Sequence, residues 1–353
     1  MRGARAWIRE RWELIALAVL AMAPLVVPAL GGALGGQVTT LFIYCILALG
    51  LNVMVGYTGL LHLGIAAFFG IGAYVMAVLT VPVFPFQIGW LGATAVSIAV
   101  TAAIGLALGA PTLRLRGDYL AIVTLGFGEV AKVTLRNLEQ VTGGMKGLNP
   151  VPPPGAGVTV AGTDLGLAFA IDPRWFYYLA LASLAGVVWA MRRLEDSRLG
   201  RAWVAVREDE LAAAAMGISG TRVKLSAFAM SSAVAALAGC LYAASLSTTA
   251  DPNAYDFNRS ILVLCAVILG GLGSIPGTLL GVSILVGFDT VLAPWADSLI
   301  QQWNINPGGS SLLSFSGWRM AVFGLALVLV MRYRPEGLIP SQRMAAEFHG
   351  SPR

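Results

Sequence analysis

Charge is what this sequence has least of. Aspartate, glutamate, lysine and arginine together make up 12% of its 353 residues, against 57% hydrophobic residues and a mean hydropathy of +0.77. A soluble domain carries about 25% charged residues, and a chain of this length needs them to cover its surface in water. A water-soluble globule is therefore excluded, and lipid has to cover the apolar exterior. Histidine is nearly missing as well. His62 stands in an apolar region and His349 in the tail, so a histidine metal site lacks companions. The three cysteines, Cys45, Cys240 and Cys265, show no paired spacing of the zinc or redox kind and read as small core residues. The glycine-rich run from Gly270 to Gly277 is not followed by Gly-Lys-Ser or Gly-Lys-Thr, so it is not a phosphate-cradling loop. The net charge of +5 lies between apolar runs rather than on a basic helix, which argues against a nucleic-acid partner.

What the sequence has in abundance is apolar runs of membrane-crossing length. They fall around 14–31, 38–55, 60–80, 90–110, 119–136, 175–191, 224–246, 259–275, 277–297 and 317–331. The expectation is an all-α integral membrane protein, 1–353 forming one transmembrane domain with about ten helices, some broken or interrupted by glycine. The first run follows Arg2, Arg5, Arg9 and Arg11 and contains Pro24 and Pro28 without a cleavage site, so it reads as a retained helix rather than a secretory leader. With both termini cytoplasmic, the remaining basic residues sort to the inside. These are Arg114 and Arg116, the group from Arg192 to Lys224, and Arg332, Arg334, Arg343 and Arg353. The outer loops around 31–37, 81–89 and 298–316 carry no lysine or arginine. A longer external loop, about 137–174, is stiffened by Pro152, Pro153 and Pro154, and either meets a partner or covers the mouth.

The cytoplasmic stretch of about 192–224 holds a short helical pattern that begins at Arg207, Glu208, Asp209 and Glu210 and runs through Leu211 and Ala214 to Met216. Acidic residues suit a helix N-terminus, alanines carry the middle, and Gly217 is a natural stop. A helix of this kind either docks in a groove of another protein or simply connects two spans.

Three charges lie within predicted spans, where each costs about 2.5–3.5 kcal/mol on insertion scales. Glu129 and Lys132 are three residues apart and share a helix face, so they are expected to pair and turn inward, as a structural pair or as an ion site. Asp289 is a lone acid expected to point to protein or water. His62 is expected to be a hydrogen-bonded packing residue within Thr58, Gly59, His62 and Gly64, just ahead of Gly70 and Gly72. The glycines there either allow close helix approach or break a helix along a path. Gly270, Gly271, Gly273 and Ser274 form a second interruption in the other half, the arrangement an inverted repeat would give.

At these residues the sequence resembles the branched-chain amino acid permeases of ATP-driven importers, of the LivM type. The likeness runs through Gly56-Tyr57-Thr58-Gly59 to Gly70-Ile71-Gly72-Ala73-Tyr74, Leu115 to Glu129, Thr142-Gly143-Gly144 with Gly147, and Arg207-Glu208-Asp209-Glu210 to Met216-Gly217-Ile218. Gly270 to Ser274 and Arg334 to Pro340 extend it over nearly the whole chain. The resemblance implies a multi-pass permease subunit of a prokaryotic cytoplasmic (inner) membrane, working by alternating access. Its implied partners are a second, LivH-like permease, two cytoplasmic ATPases and an external substrate-binding protein. No cofactor is expected on this chain, since ATP and Mg would sit on the ATPases. The segment from Arg207 to Gly217 then resembles the coupling helix that enters a cleft on the ATPase. The implied cargo is a branched-chain or other hydrophobic amino acid, with urea, amides or other amino acids as the alternative within the family. From a different class, an ion-coupled secondary transporter would use Glu129, Lys132 and Asp289.

Overall fold

The computed structural model describes residues 33–85, 87–112, 118–155, 159–160, 163–164, 166, 169, 172–249, 251–293, 295–297, 319–334 and 336–340. The expected first span, 14–31, lies outside the described residues, as do the arginines before it and Arg114, Arg116, Arg343 and Arg353. The described part is almost wholly helical. Helix α1 (Ala33–Asn52) ends in a π-helical turn, Val53–Tyr57, and is followed by α2 (Ile65–Thr80), α3 (Trp90–Thr112) and α4 (Asp118–Asn137). Helix α5 (Pro173–Glu195), two shorter helices α6 (Arg198–Glu208) and α7 (Glu210–Ala215), and the long α8 (Gly220–Leu246) come next. Helices α9 (Phe257–Gly270), α10 (Ile275–Gly287) with its π turn Phe288–Leu292, and α11 (Arg319–Tyr333) complete the set.

Five helical stretches are long and apolar enough to cross a membrane: Gly35–Tyr57, Trp90–Thr112, Arg174–Glu195, Gly220–Leu246 and Ile275–Asp297, with Ile65–Thr80 shorter. The sequence expectation differs from the structure in three places. The run at 60–80 is helical only from Ile65. The loop at 137–174 is not purely irregular, for it contains a helical turn at Glu139–Thr142 and a small antiparallel pair, β1 (Thr159–Val160) and β2 (Thr163–Asp164). Proline stiffens that loop only locally, and the turn lies ahead of the prolines, where backbone N–H donors remain available. The third difference is the break at Asp209, taken up with the site.

The core forms around α1 and α8, which pack on each other and on their neighbours α2, α3 and α5. Small side chains make this possible without a hydrophobic drive between helices in lipid. A Cβ on Gly72 would overlap the Ala236 backbone, and one on Gly239 the Phe69 carbonyl, so α2 and α8 touch almost backbone to backbone. On α3 the inward face reads Thr94, Ser97, Thr101, Gly105 and Gly109, all buried, whereas Leu91, Val96, Val100 and Leu106 are exposed on the other face. Ser97 Oγ donates to the Gly72 carbonyl at 2.7 Å, tying the two helices by a polar contact that water does not contest.

Candidate functional site: two helix breaks, a connecting segment and a small cleft

The first break follows the π turn of α1. Thr58 is buried and its Oγ1 donates to the Met54 carbonyl at 2.6 Å. Gly59 takes a φ of +67° and lies under the side chain of Arg207. The segment up to Gly64 is laid against α4. Leu63 N donates to Thr124 Oγ1 at 3.0 Å, and a side chain on Gly64 would strike the Thr124 carbonyl. His62 is 1% exposed, with ring centroids 5.6 Å from Phe68 and 5.8 Å from Phe228. It packs as expected, but neither nitrogen has a hydrogen-bond partner among the described residues. The expected hydrogen bond is replaced by aromatic contact, because the ring is enclosed by phenylalanines. Gly70 abuts the Tyr255 ring and Gly72 the Ala236 backbone, so both act as close-packing points.

The second break joins α9 to α10. Gly271 and Gly273 take φ of +124° and +72°, a region that L side chains avoid. Ser274 caps α10, its Oγ accepting from Gly277 N at 3.1 Å, while Gly270 faces the Gly277 backbone. The segment after α11 straps this turn: Leu338 N and Ile339 N donate to the Leu269 and Gly270 carbonyls at 3.0 and 2.9 Å.

The two breaks meet. Asn52 Oδ1, at the end of α1, accepts from Gly273 N at 2.9 Å across 221 residues of sequence, and Gly56 has no room for a side chain beside Gly273. The Arg207 guanidinium donates to the Gly56 carbonyl. One end of the segment 207–217 is thereby fastened to the junction of both breaks. That segment is not one helix starting at Arg207. Arg207 and Glu208 close α6, and Asp209, with φ −155° and ψ 111°, is the cap of α7. Its Oδ1 accepts from Leu211 N at 2.8 Å and Ala212 N at 3.0 Å. The carboxylate competes for the donors that a continuous helix would have used, and so starts a new one. Glu210 is tied to α8 through Lys224 at 2.7 Å. Gly217 ends α7 with a φ of +81°, as the sequence suggests. Leu211 and Met216 are 81% and 83% exposed and Ala214 is exposed beside them, giving an apolar tip on a charged surface.

Glu129 and Lys132 pair at 2.6 Å as the spacing predicts, with side chains 42% and 21% exposed. Glu129 stands at a narrow cleft of about 10 Å³, the space of a single water, between α2, α4 and α9. Leu63, Ala66, Ala67, Leu125, Gly128 and Phe257 supply its apolar walls, and Glu129, Tyr255, Asp256 and Ser260 its polar ones. Asp289 is half-buried in the π turn that ends α10, away from this cleft. Sequence reasoning missed Asn52, Asp256, Arg259 and Ser260. Asp256 Oδ1 caps α9 by accepting from Arg259 N at 3.1 Å. The Arg259 guanidinium lies 5.5 Å from the ring centroids of both Tyr44 and Tyr242, which compensates a partly buried cation. An acid and a base three residues apart at the mouth of a predicted span was the available signal. Among the described residues no group of three or more histidine, cysteine or acidic side chains is placed to hold a metal ion.

A family profile described as branched-chain amino acid transport system, permease component, matches residues 15–331. The chain is 36% identical to the high-affinity branched-chain amino acid transport system permease protein LivM of Salmonella typhimurium, over 95% of this chain and 76% of that protein. LivM of Escherichia coli K12 matches with the same identity and coverage. LivH of Escherichia coli K12 is 27% identical over 69% of this chain and 79% of its own length. No solved structure matches. A profile spanning residues 15–331 and LivM relatives matched over 95% of this chain leave one conclusion for this multi-pass membrane protein: it belongs to the family of branched-chain amino acid transport permease components.

Proposed function

We propose that this chain is the membrane-spanning permease of an ATP-driven importer of branched-chain or other hydrophobic amino acids in a prokaryotic cytoplasmic membrane. It crosses about ten times, the two halves in inverted repeat, with both termini inside. It pairs with a second, LivH-like permease, two ATPases that carry the ATP and Mg, and an external binding protein. The observation that carries this reading is the contact of Arg207 with Gly56. The exposed tip of α7 is shaped to enter a groove on an ATPase, and Arg207 ties the base of that segment to the turn where both helix breaks meet. A displacement of α7 is then felt at the cytoplasmic ends of α1, α2, α9 and α10 together, the coupling that alternating access requires. Thr58, Gly59, His62, Gly64, Gly70 and Gly72 in one half, and Gly270, Gly271, Gly273 and Ser274 in the other, mark the translocation path between the two breaks.

Proteoliposomes made with the full complex, and others with this chain alone, test the reading. Leucine uptake that needs ATP and the binding protein is expected from the first and none from the second. Uptake by the chain alone down a proton or sodium gradient would instead establish the ion-coupled reading built on Glu129, Lys132 and Asp289. Uptake of urea or amides in place of leucine would redirect the cargo and leave the ATP-driven mechanism standing.

A further inference from the structure

We propose that the buried imidazole of His62 is a conformational spring set between the two anchors of α7. Its nitrogens lack hydrogen bonds while the segment 58–64 is packed, and displacement of α7 opens that enclosure to water, so His62 favours the opposite state of the transport cycle. This inference rests on the coupling through α7 proposed above.

An imidazole carries one donor and one acceptor, or two donors when charged. His62 is 1% exposed and uses neither nitrogen, and among the described residues it is the one side chain that buries two polar atoms without a partner. Trp90, Thr94, Thr101 and Ser231 bury one each, all on regular helices, whereas His62 lies in the interrupted segment between α1 and α2. The Phe68 and Phe228 rings, with centroids at 5.6 and 5.8 Å, fill the space around it but leave the lost hydration of both nitrogens uncompensated. An apolar side chain would serve packing alone without that penalty.

The walls of the enclosure are tied to α7 from two sides. On one, Arg207, at the end of α6, covers Gly59 and donates to the Gly56 carbonyl, which holds the interrupted segment just ahead of His62. On the other, Glu210 of α7 pairs with Lys224 at 2.7 Å, and Lys224 stands about one turn before Phe228 on α8. Gly64 closes the remaining side: a Cβ there would strike the Thr124 carbonyl and lie 3.5 Å from the imidazole Cε1. A movement of α7 that draws Arg207 and Lys224 apart separates the interrupted segment from α8, and the gap it opens is the one His62 fills. Solvation of the imidazole then offsets part of the packing lost on opening.

The wild-type complex carries the first test, since His62 and His349 are the only histidines of this chain. A short pulse of diethyl pyrocarbonate, which acylates an accessible imidazole nitrogen, is applied to the reconstituted complex and scored by mass spectrometry on the peptide that carries His62. Acylation is expected to run at least about tenfold faster with ATP and the loaded binding protein than at rest; one rate in both conditions overturns the proposal. The polar penalty is tested separately by His62→Leu, which keeps an apolar filling and removes the nitrogens. Leucine uptake should fall about tenfold while the thermal midpoint of the complex rises, because the packed state no longer buries unpaired groups. A fall in both, the mark of a merely structural histidine, overturns the proposal, as does uptake at the wild-type rate. A wild-type complex that imports nothing under ATP sinks the parent reading and this one together, whereas ATP-driven leucine import with equal acylation rates sinks this one alone.

Discussion

Gly72 shows what one residue decides in this chain. It lies where α2 and α8 pack almost backbone to backbone, and any side chain there must push the Ala236 backbone away. Overpacking of this kind costs about 1–3 kcal/mol. Gly72→Leu is expected to lower the thermal midpoint of the detergent-solubilised protein, whereas Gly126→Leu, at a glycine with open space around it, should stay within about 0.5 kcal/mol of the parent. Equal losses at the two sites would show that packing space is not what separates them. Both glycines look alike in sequence. The difference is set by what happens to pass beside each one, and for Gly72 that neighbour is 164 residues away in the chain.

Among the elements, the pair α6 and α7 carries the functional reading. The helix-forming features of the proposed coupling segment were legible: an acidic start, an alanine middle and a glycine stop. The break inside it was not, since Arg-Glu-Asp-Glu is equally compatible with a continuous first turn. Only the conformation of Asp209 shows that its carboxylate caps α7. Removing that cap with Asp209→Ala should cost about 1 kcal/mol of local stability and loosen α7. Ala214→Trp leaves the cap intact and adds bulk at an exposed position. It is expected to keep ATP hydrolysis and lose most uptake in the reconstituted complex, read as substrate carried per ATP consumed. An unaltered ratio would show that α7 is a plain connector.

Across the whole molecule, orientation follows from charge. Basic residues on the short loops favour the cytoplasmic side, so the turn at 81–89 should face out and α7 in. Val83 and Met216 are 77% and 83% exposed. In intact cells an impermeant maleimide should label Val83→Cys, and should reach Met216→Cys only after the membrane is opened. The reverse pattern would invert the topology. Helix placement and the family were readable from sequence because hydropathy and short motifs are local properties, preserved within a window of about 20 residues. The pair Glu129–Lys132 was readable for the same reason, through a spacing of three. Local signals also marked the two glycine-rich interruptions, one in each half. That these interruptions meet, through Asn52 and Gly273 and under Arg207, was decided by tertiary structure alone. Contacts across 221 and 151 residues leave no periodicity in the chain, and a hydrogen bond to a backbone group leaves little mark on the identity of the residue that carries it.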